Sequence, residues 1–285
     1  MTRYAKPTSL DEALALLGEA PWRIVAGGTD FYPALGNRPI RENILDINGL
    51  AGLRGIGETE DYWLIGARTT WTDIANSDLP PAFDALKQAA REVGSVQIQN
   101  VATIAGNLCN ASPAADGVPA LLALDAVVEL RSGNARRSPK LADFVLGNRR
   151  TAMRDGEMVT GIRIPRASGA GRSAFVKLGA RRYLVISIAM AAARLVVTDG
   201  RIEQAAIAVG ACSATAARLT GVETALIGRP VDGSLANAVR SAPVTELSPI
   251  DDVRGSTAYR LEAAREIAAR AVCLAAGLTP ESMAA

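Results

Sequence analysis

Two stretches of this sequence gather glycine with small hydroxyl and amide side chains: Gly27-Gly28-Thr29-Asp30 and Thr103-Ile104-Ala105-Gly106-Asn107. Glycine lets backbone N–H groups converge on a ligand with no Cβ in the way, and such a concavity suits phosphate oxygens. Thr29, Thr103 and Asn107 can add side-chain donors. Neither loop holds a Lys or Arg, so an anion there rests on backbone dipoles and neutral donors. The patterns are neither G-x-x-x-x-G-K-[ST] nor G-x-G-x-x-G, which sets aside P-loop and Rossmann phosphate binding. Each loop taken singly reads better as a turn that needs glycine. Together, each leaving an expected strand on the same half of the chain, they predict a cradle that grips a long diphosphate cofactor between them.

Other chemistry is excluded by residue type. The 285 residues contain no histidine, so His-ligated zinc, Ser-His-Asp and Cys-His nucleophiles and a His general base are absent. Cys109, Cys212 and Cys273 lie far apart with no C-x-x-C. Three thiols cannot fill a Cys₄ iron–sulfur site, and the sparse count predicts free thiols in a reducing compartment rather than a disulfide framework. The 31 Lys and Arg nearly cancel the 29 Asp and Glu, leaving no whole-molecule field for nucleic acid or an anionic membrane. The most apolar segment, 185–197, is short and holds Ser187 and Arg194, so no membrane span is expected.

The elements that position the loops follow from pattern. Ser9-Leu10-Asp11-Glu12 has the form of a capping box ahead of Ala13, Leu14, Leu16 and Leu17, which predicts a helix rather than a secretory leader. Residues 22–25, 44–47 and 62–67 read as short strands, and Pro80-Pro81 opens a helix to about Val93. Ser112-Pro113 reads as an N-cap and first helical residue, with a helix through Leu121 and Leu122, then a strand over 126–130. A strand over 158–164 is closed by Pro165. A composition shift near 166–172 suggests a domain boundary. Beyond it, Asp199-Gly200 between apolar runs predicts a hairpin, and 256–276 a helix stopped by Gly277.

The two loops, together with Asn110-Ala111-Ser112-Pro113-Ala114-Ala115-Asp116, resemble the FAD-binding subunit of the molybdenum hydroxylases. That group includes xanthine dehydrogenase, carbon monoxide dehydrogenase and 4-hydroxybenzoyl-CoA reductase. Residues 162–165, 175–178 and 252–260 resemble further landmarks of the family in the expected order. The resemblance implies an α+β fold: a two-lobed FAD-binding domain of the vanillyl-alcohol-oxidase (PCMH) type over 1–170, with lobes of about 1–55 and 56–170. A smaller C-terminal domain over 171–285 would carry a three-stranded antiparallel sheet and a helix bundle.

It also implies an electron-transfer role in a heterotrimer or its dimer. A large subunit would hold the molybdopterin cofactor and a small one two [2Fe–2S] clusters. FAD on this chain would pass electrons to NAD, oxygen or a quinone, in the cytoplasm unless a partner directs co-export. Ile24, Val25, Ala26, Gly27, Gly28, Thr29, Asp30 and Phe31 would embrace the FAD diphosphate from one side. Thr103, Ile104, Ala105, Gly106 and Asn107 would close from the other. Asp116, Val159 and Lys177 match further cofactor-contacting positions. Cys109 reads as small filler, with no catalytic residue and no metal ligand on this chain.

Two departures stand out: Ala105 where the family usually has glycine, acceptable with a negative φ, and Val93 where some members carry an aromatic. The cysteine-bearing insertion of the benzoyl-CoA reductase type is absent. Alternative readings are a self-sufficient FAD oxidoreductase of the same fold, or a scaffold subunit that has lost its flavin.

Overall fold

The computed structural model describes residues 2–133 and 135–278, so positions 279–285 of the expected C-terminal domain lie outside the described residues. Three larger sheets with their covering helices, and a two-stranded ribbon of Val145–Gly147 with Arg150–Thr151, make up the regular structure of the described residues. The first sheet is parallel, with Ile44–Asp46 between Tyr4–Ala5 and Arg23–Val25. The Leu10–Glu19 helix covers it, burying Ala13, Leu14 and Leu17 with Leu45 and Ile47. Ser9 caps that helix by accepting from the Glu12 N–H, while the Glu12 carboxylate reaches back to the Thr8 N–H.

The second sheet is antiparallel, in the order 56–58, 62–66, 158–165, 127–132, 135–137. Its central strand Met158–Pro165 is buried over most of its length. Met158 belongs to the core of the first sheet and Val159 to that of the second, so this strand ties the two lobes together at the start of the cleft between them.

The third sheet has three long antiparallel strands, Arg172–Leu178, Ala189–Thr198 and Arg201–Gly210, with a two-residue fourth, Ala217–Arg218, at the edge. The hairpin falls at Asp199-Gly200, both with positive φ (51° and 71°), the conformation of a type I′ turn. Strand side chains alternate between faces, and here both faces are buried. Ala189, Ala191, Ala193 and Leu195 pack on the Thr257–Ala275 helix, through Ala264, Ala268 and Ala271. Met190 and Ala192 face the core of the N-terminal part instead. Small side chains on both surfaces explain why helix and sheet approach so closely.

Two helix starts expected from the sequence are corrected. No helix starts at Pro113. The Ser112 hydroxyl and carbonyl accept from the Ala114 and Ala115 N–H groups in a tight turn, and the helix runs Gly117–Ala123 with Asp116 at its N-cap. Ser and Thr side chains favour such local turns as readily as helix caps. The Pro80-Pro81 segment likewise opens as one 3₁₀ turn, Pro81–Phe83, before the Asp84–Glu92 helix.

The loop before the terminal helix carries a pH-sensitive contact. Asp252 accepts from the Arg254 N–H, the Arg254 guanidinium and Arg260 Nη2, which together pull its carboxyl down to about 2. A carboxyl held below its unfolded value adds stability above the ordinary carboxylate range, and that stability is lost as pH falls toward 2. Urea midpoints measured from pH 5 to 2 should therefore fall less steeply for Asp252→Asn than for the parent chain; equal slopes would contradict the contact.

Candidate functional site

The two glycine loops meet. Gly27 lies against the backbone just ahead of the second loop: a Cβ there would stand 2.1 Å from the Val101 carbonyl oxygen and 3.0 Å from the Ala102 Cα. Gly28 has φ +70°, and a Cβ on it would stand 2.5 Å from the Tyr32 ring. Only glycine lets the chain turn here and stay this close. The Tyr32 N–H donates to the Gly28 carbonyl and starts the Phe31–Leu35 helix. Among the described residues, no protein acceptor takes the amides of Gly27, Gly28 or Thr29.

The second loop follows a short helix, Val96–Gln99, rather than the expected strand. Thr103 caps the Ile104–Asn110 helix, its Oγ1 accepting from the Gly106 N–H at 3.1 Å. The Ile104 N–H donates to the Thr69 carbonyl, which pins the helix start to the second sheet's edge loop. Ile104, Ala105 and Leu108 point into the core. The opposite side, Gly106 and Asn107, is left to the groove.

That groove is a hollow of about 490 Å³ lined by all of Ile24 to Phe31 and by Thr103, Gly106 and Asn107. A second hollow of about 750 Å³ adjoins it and shares Ile24, Ala26, Thr103, Gly106 and Cys109, adding Ala105 and Val159. Thus of the sixteen residues singled out in the sequence, thirteen border one or other of two adjoining hollows that form the cleft between the lobes. Ile104 is fully buried behind it.

Asp116 and Lys177 stand apart from both hollows and meet each other. Lys177 Nζ lies 2.7 Å from Asp116 Oδ2, and the Ser187 hydroxyl donates to Asp116 Oδ1 at 2.7 Å. Both side chains are nearly inaccessible. Burial pushes the Asp116 carboxyl above its ordinary value, against the pull of Lys177 and Ser187. Lys177 also donates to the carbonyl of Glu92, next to Val93 on the groove wall. The pair is thus joined to the groove wall through Glu92–Val93 and through Trp71, whose ring lies against Gly117, the neighbour of Asp116, while Lys177 itself borders a separate hollow of about 500 Å³ with Arg91, Arg181 and Arg182.

Sequence reasoning missed three groove residues. Trp71 is fully buried and lines the wall. Arg38 and Arg149 bring positive charge to the rim, although neither glycine loop carries a cation. Arg149 sits at φ +58°; its N–H donates to the Ala111 carbonyl and its guanidinium to Asn110 Oδ1, while Asn110 Nδ2 donates to Asp30. No motif surrounds either arginine, so only the fold reveals them. Arg23 pairs with Glu42 at the same rim and holds that carboxyl low. Cys109 is exposed on the cleft wall, with its sulfur 3.7 Å from Met153 Sδ, so it does not fill space inside the core. No cluster of three or more potential metal ligands occurs among the described residues.

Ala105 occupies a helical position with φ outside the positive range, so the missing glycine costs the loop no backbone freedom. Ala105→Gly should lower stability by roughly 0.5–1 kcal/mol, as glycine does within a helix, and leave ligand affinity unchanged. A thermal melt and a ligand titration check this, and a gain in affinity would show that the methyl group obstructs the cleft.

The cleft fits a diphosphate-bridged dinucleotide. Its unused amides at Gly27–Thr29 point to an external acceptor. Asn107 Oδ1 and Trp71 Nε1 are buried without a hydrogen-bond partner among the described residues, and the Asn107 amide can turn to present either its oxygen or its NH₂. Buried polar groups are rarely left unpaired in a finished protein, so these atoms support a polar ligand in the groove.

Comparison with known proteins gives the same answer from the whole chain. Residues 1–167 match the family model described as the FAD binding domain in molybdopterin dehydrogenase, and residues 174–275 the CO dehydrogenase flavoprotein C-terminal domain. The glyceraldehyde dehydrogenase medium chain of Sulfolobus acidocaldarius is 32% identical, covering 94% of this chain and 96% of that one. The nicotine 6-hydroxylase medium subunit of Paenarthrobacter nicotinovorans is 31% identical, covering 97% and 98%. Among solved structures, quinoline 2-oxidoreductase from Pseudomonas putida 86 superposes with a TM-score of 0.86 at 27% identity, covering 99% and 98%.

Proposed function

Since this chain belongs to the FAD-binding medium subunits of the molybdenum hydroxylase family, we propose that it is the flavoprotein of such a complex, taking electrons from [2Fe–2S] clusters on a small subunit and delivering them to an external acceptor. A molybdopterin-binding large subunit would oxidise the substrate. The observation that carries the reading is the pair of adjoining hollows on which thirteen of the sixteen expected residues converge, with unpaired polar atoms on the wall.

When bound, FAD would supply a carrier that takes up electrons singly, as one-electron iron–sulfur clusters deliver them, and releases them singly or in pairs. The chain's part is binding and tuning. The amides of Gly27, Gly28 and Thr29 and the Thr103 and Asn107 side chains would hold the diphosphate, with Arg38 and Arg149 neutralising it from the rim. Val159 on the central strand would border the part of the cofactor that reaches the second hollow. The Asp116–Lys177 pair would set charge behind the groove wall, where a lysine favours negative charge on a reduced flavin. We place the division into an FAD-binding domain, 1–170, and a C-terminal domain, 171–285, at the 3₁₀ turn Arg166–Gly169, just before the third sheet. No helix among the described residues is long and apolar enough to cross a membrane, and the buried free thiols Cys212 and Cys273 suit the cytoplasm.

The test is the visible spectrum of the purified chain, with chromatography of the heat-released chromophore. Flavin absorbance with FAD released, and no iron–sulfur absorbance, is the expected result. A colourless chain that takes up no FAD, alone or with its co-expressed partner subunits, would overturn the proposal and favour a scaffold. Turnover by the isolated chain with a small donor would favour a self-sufficient oxidoreductase.

A further inference from the structure

We propose that Arg260, in the C-terminal helix and outside the cleft, is a positioning residue for the Asp116–Lys177 pair, gripping both of the chain segments that hold Asp116 in place. Arg260 is almost fully buried. Its Nη1 donates to two carbonyls, Ile188 at 2.6 Å and Ala211 at 2.9 Å, while Nη2 donates to Asp252 at 2.7 Å. Each carbonyl belongs to a residue one short step from Asp116. Ile188 follows Ser187, whose hydroxyl donates to Asp116 Oδ1. Ala211 donates its own N–H to the Pro113 carbonyl, in the turn that leads into Asp116.

The two links are independent and converge. Ala211 is held at φ +63°, a left-handed conformation costly for a residue with a Cβ, so something must maintain it; the Arg260 and Pro113 hydrogen bonds do so from its two ends. The rigid guanidinium fork suits the task, since it bridges three oxygens in fixed directions where an ammonium presents a point charge. Asp252 sets the direction of the fork from outside, and the Ile188–Ala211–Arg260 junction lies where the third sheet meets the terminal helix. Without Arg260, Ser187 and the 113–116 turn lose their common anchor, and the carboxylate that holds the Lys177 ammonium is free to shift.

The consequence for FAD rests on the function proposed above; the consequence for the protein does not. Native-state hydrogen exchange on the full chain reads the second. In Arg260→Met, the amides of Ile188, Ala115 and Ala211 should exchange about tenfold faster or more, while the first sheet is unchanged. Arg240→Met, which breaks an exposed ion pair with Glu266 at the same helix, should leave those three amides protected. Arg260→Lys should restore part of the protection, and Asp252→Asn should weaken it. Uniform loss throughout the chain, or no change at the three amides, would overturn the positioning role.

FAD titration followed by flavin fluorescence reads the first. Arg260→Met and Ser187→Ala should each weaken FAD binding by about tenfold, and the double variant no more than the stronger of the two, because both act on the same carboxylate. Additive losses would show that Arg260 does not work through Ser187. If the parent chain binds no FAD, the function proposed above falls, and the exchange measurement alone decides the role of Arg260.

Discussion

Gly27→Ala should nearly abolish FAD uptake while leaving a folded protein. The added Cβ would stand 2.1 Å from the Val101 carbonyl oxygen and 2.6 Å from its carbon, well inside contact, and both neighbours are backbone that cannot rotate away. The two loops must part for the methyl group to fit. Over-packing of this kind typically costs about 1–3 kcal/mol, and a backbone obstacle places this site at the upper end. Were the closed arrangement about 3 kcal/mol harder to reach, affinity for a ligand held between the loops would fall roughly a hundredfold, at a factor of ten per 1.4 kcal/mol. Gly52→Ala serves as the control. Gly52 lies in the 3₁₀ turn Ala51–Leu53, away from both hollows, with nothing within 4 Å of a built Cβ, so alanine there should be neutral or add up to about 1 kcal/mol. Paired FAD titrations and thermal melts of the two variants check both. Undiminished FAD binding by Gly27→Ala would mean that the contact between the loops is not what closes the cleft.

The same glycine shows how much was legible in the sequence. Gly27-Gly28 declared a close approach, because backbone freedom at a turn is a local property. The hairpin at Asp199-Gly200 and the start of the terminal helix near Ser256 were legible for the same reason. What failed was also local, at the wrong scale: Ser112-Pro113 has the chemistry of a helix start, yet the helix waits until Gly117, since a hydroxyl turn competes with a cap using the same atoms. The charges of the site were not legible in the loops at all. Arg38 and Arg149 reach the rim only through folding, and no spacing rule links Lys177 on the third sheet to Asp116 at a helix start. The resemblance marked those two as cofactor contacts; the fold adds that they are each other's partner.

That partnership gives the second large effect, and it separates support from binding. Asp116→Asn leaves the Lys177 ammonium buried with only neutral acceptors, the Glu92 carbonyl and the introduced amide oxygen. Breaking a buried pair from one side typically costs about 3–5 kcal/mol, because an uncompensated charge stays behind. Lys177→Met leaves the carboxyl instead, and that group has an escape. Burial already raises its pKa, and losing the lysine raises it further, so it can take a proton. A carboxyl whose folded value exceeds its unfolded one stabilises the fold below the ordinary carboxylate range, and that contribution disappears as pH climbs through the folded value. Lys177→Met should thus lie close to the parent in stability at acid pH and fall away from it toward neutrality, whereas Asp116→Asn is costly throughout. The double variant retains an acceptor for Ser187 and buries no charge, so it should recover most of the loss, as uncharged replacements of buried pairs commonly do. Urea melts of the four proteins across pH close the cycle, and additive losses would contradict a direct pair. FAD affinity and the reduction potential of the bound flavin, measured on the restored double variant, then report what the charges do for the cofactor once their structural effect has been removed. A double variant as stable as the parent, with weakened FAD binding or a lowered potential, would assign the pair to the flavin; unchanged values of both would assign it to the fold alone.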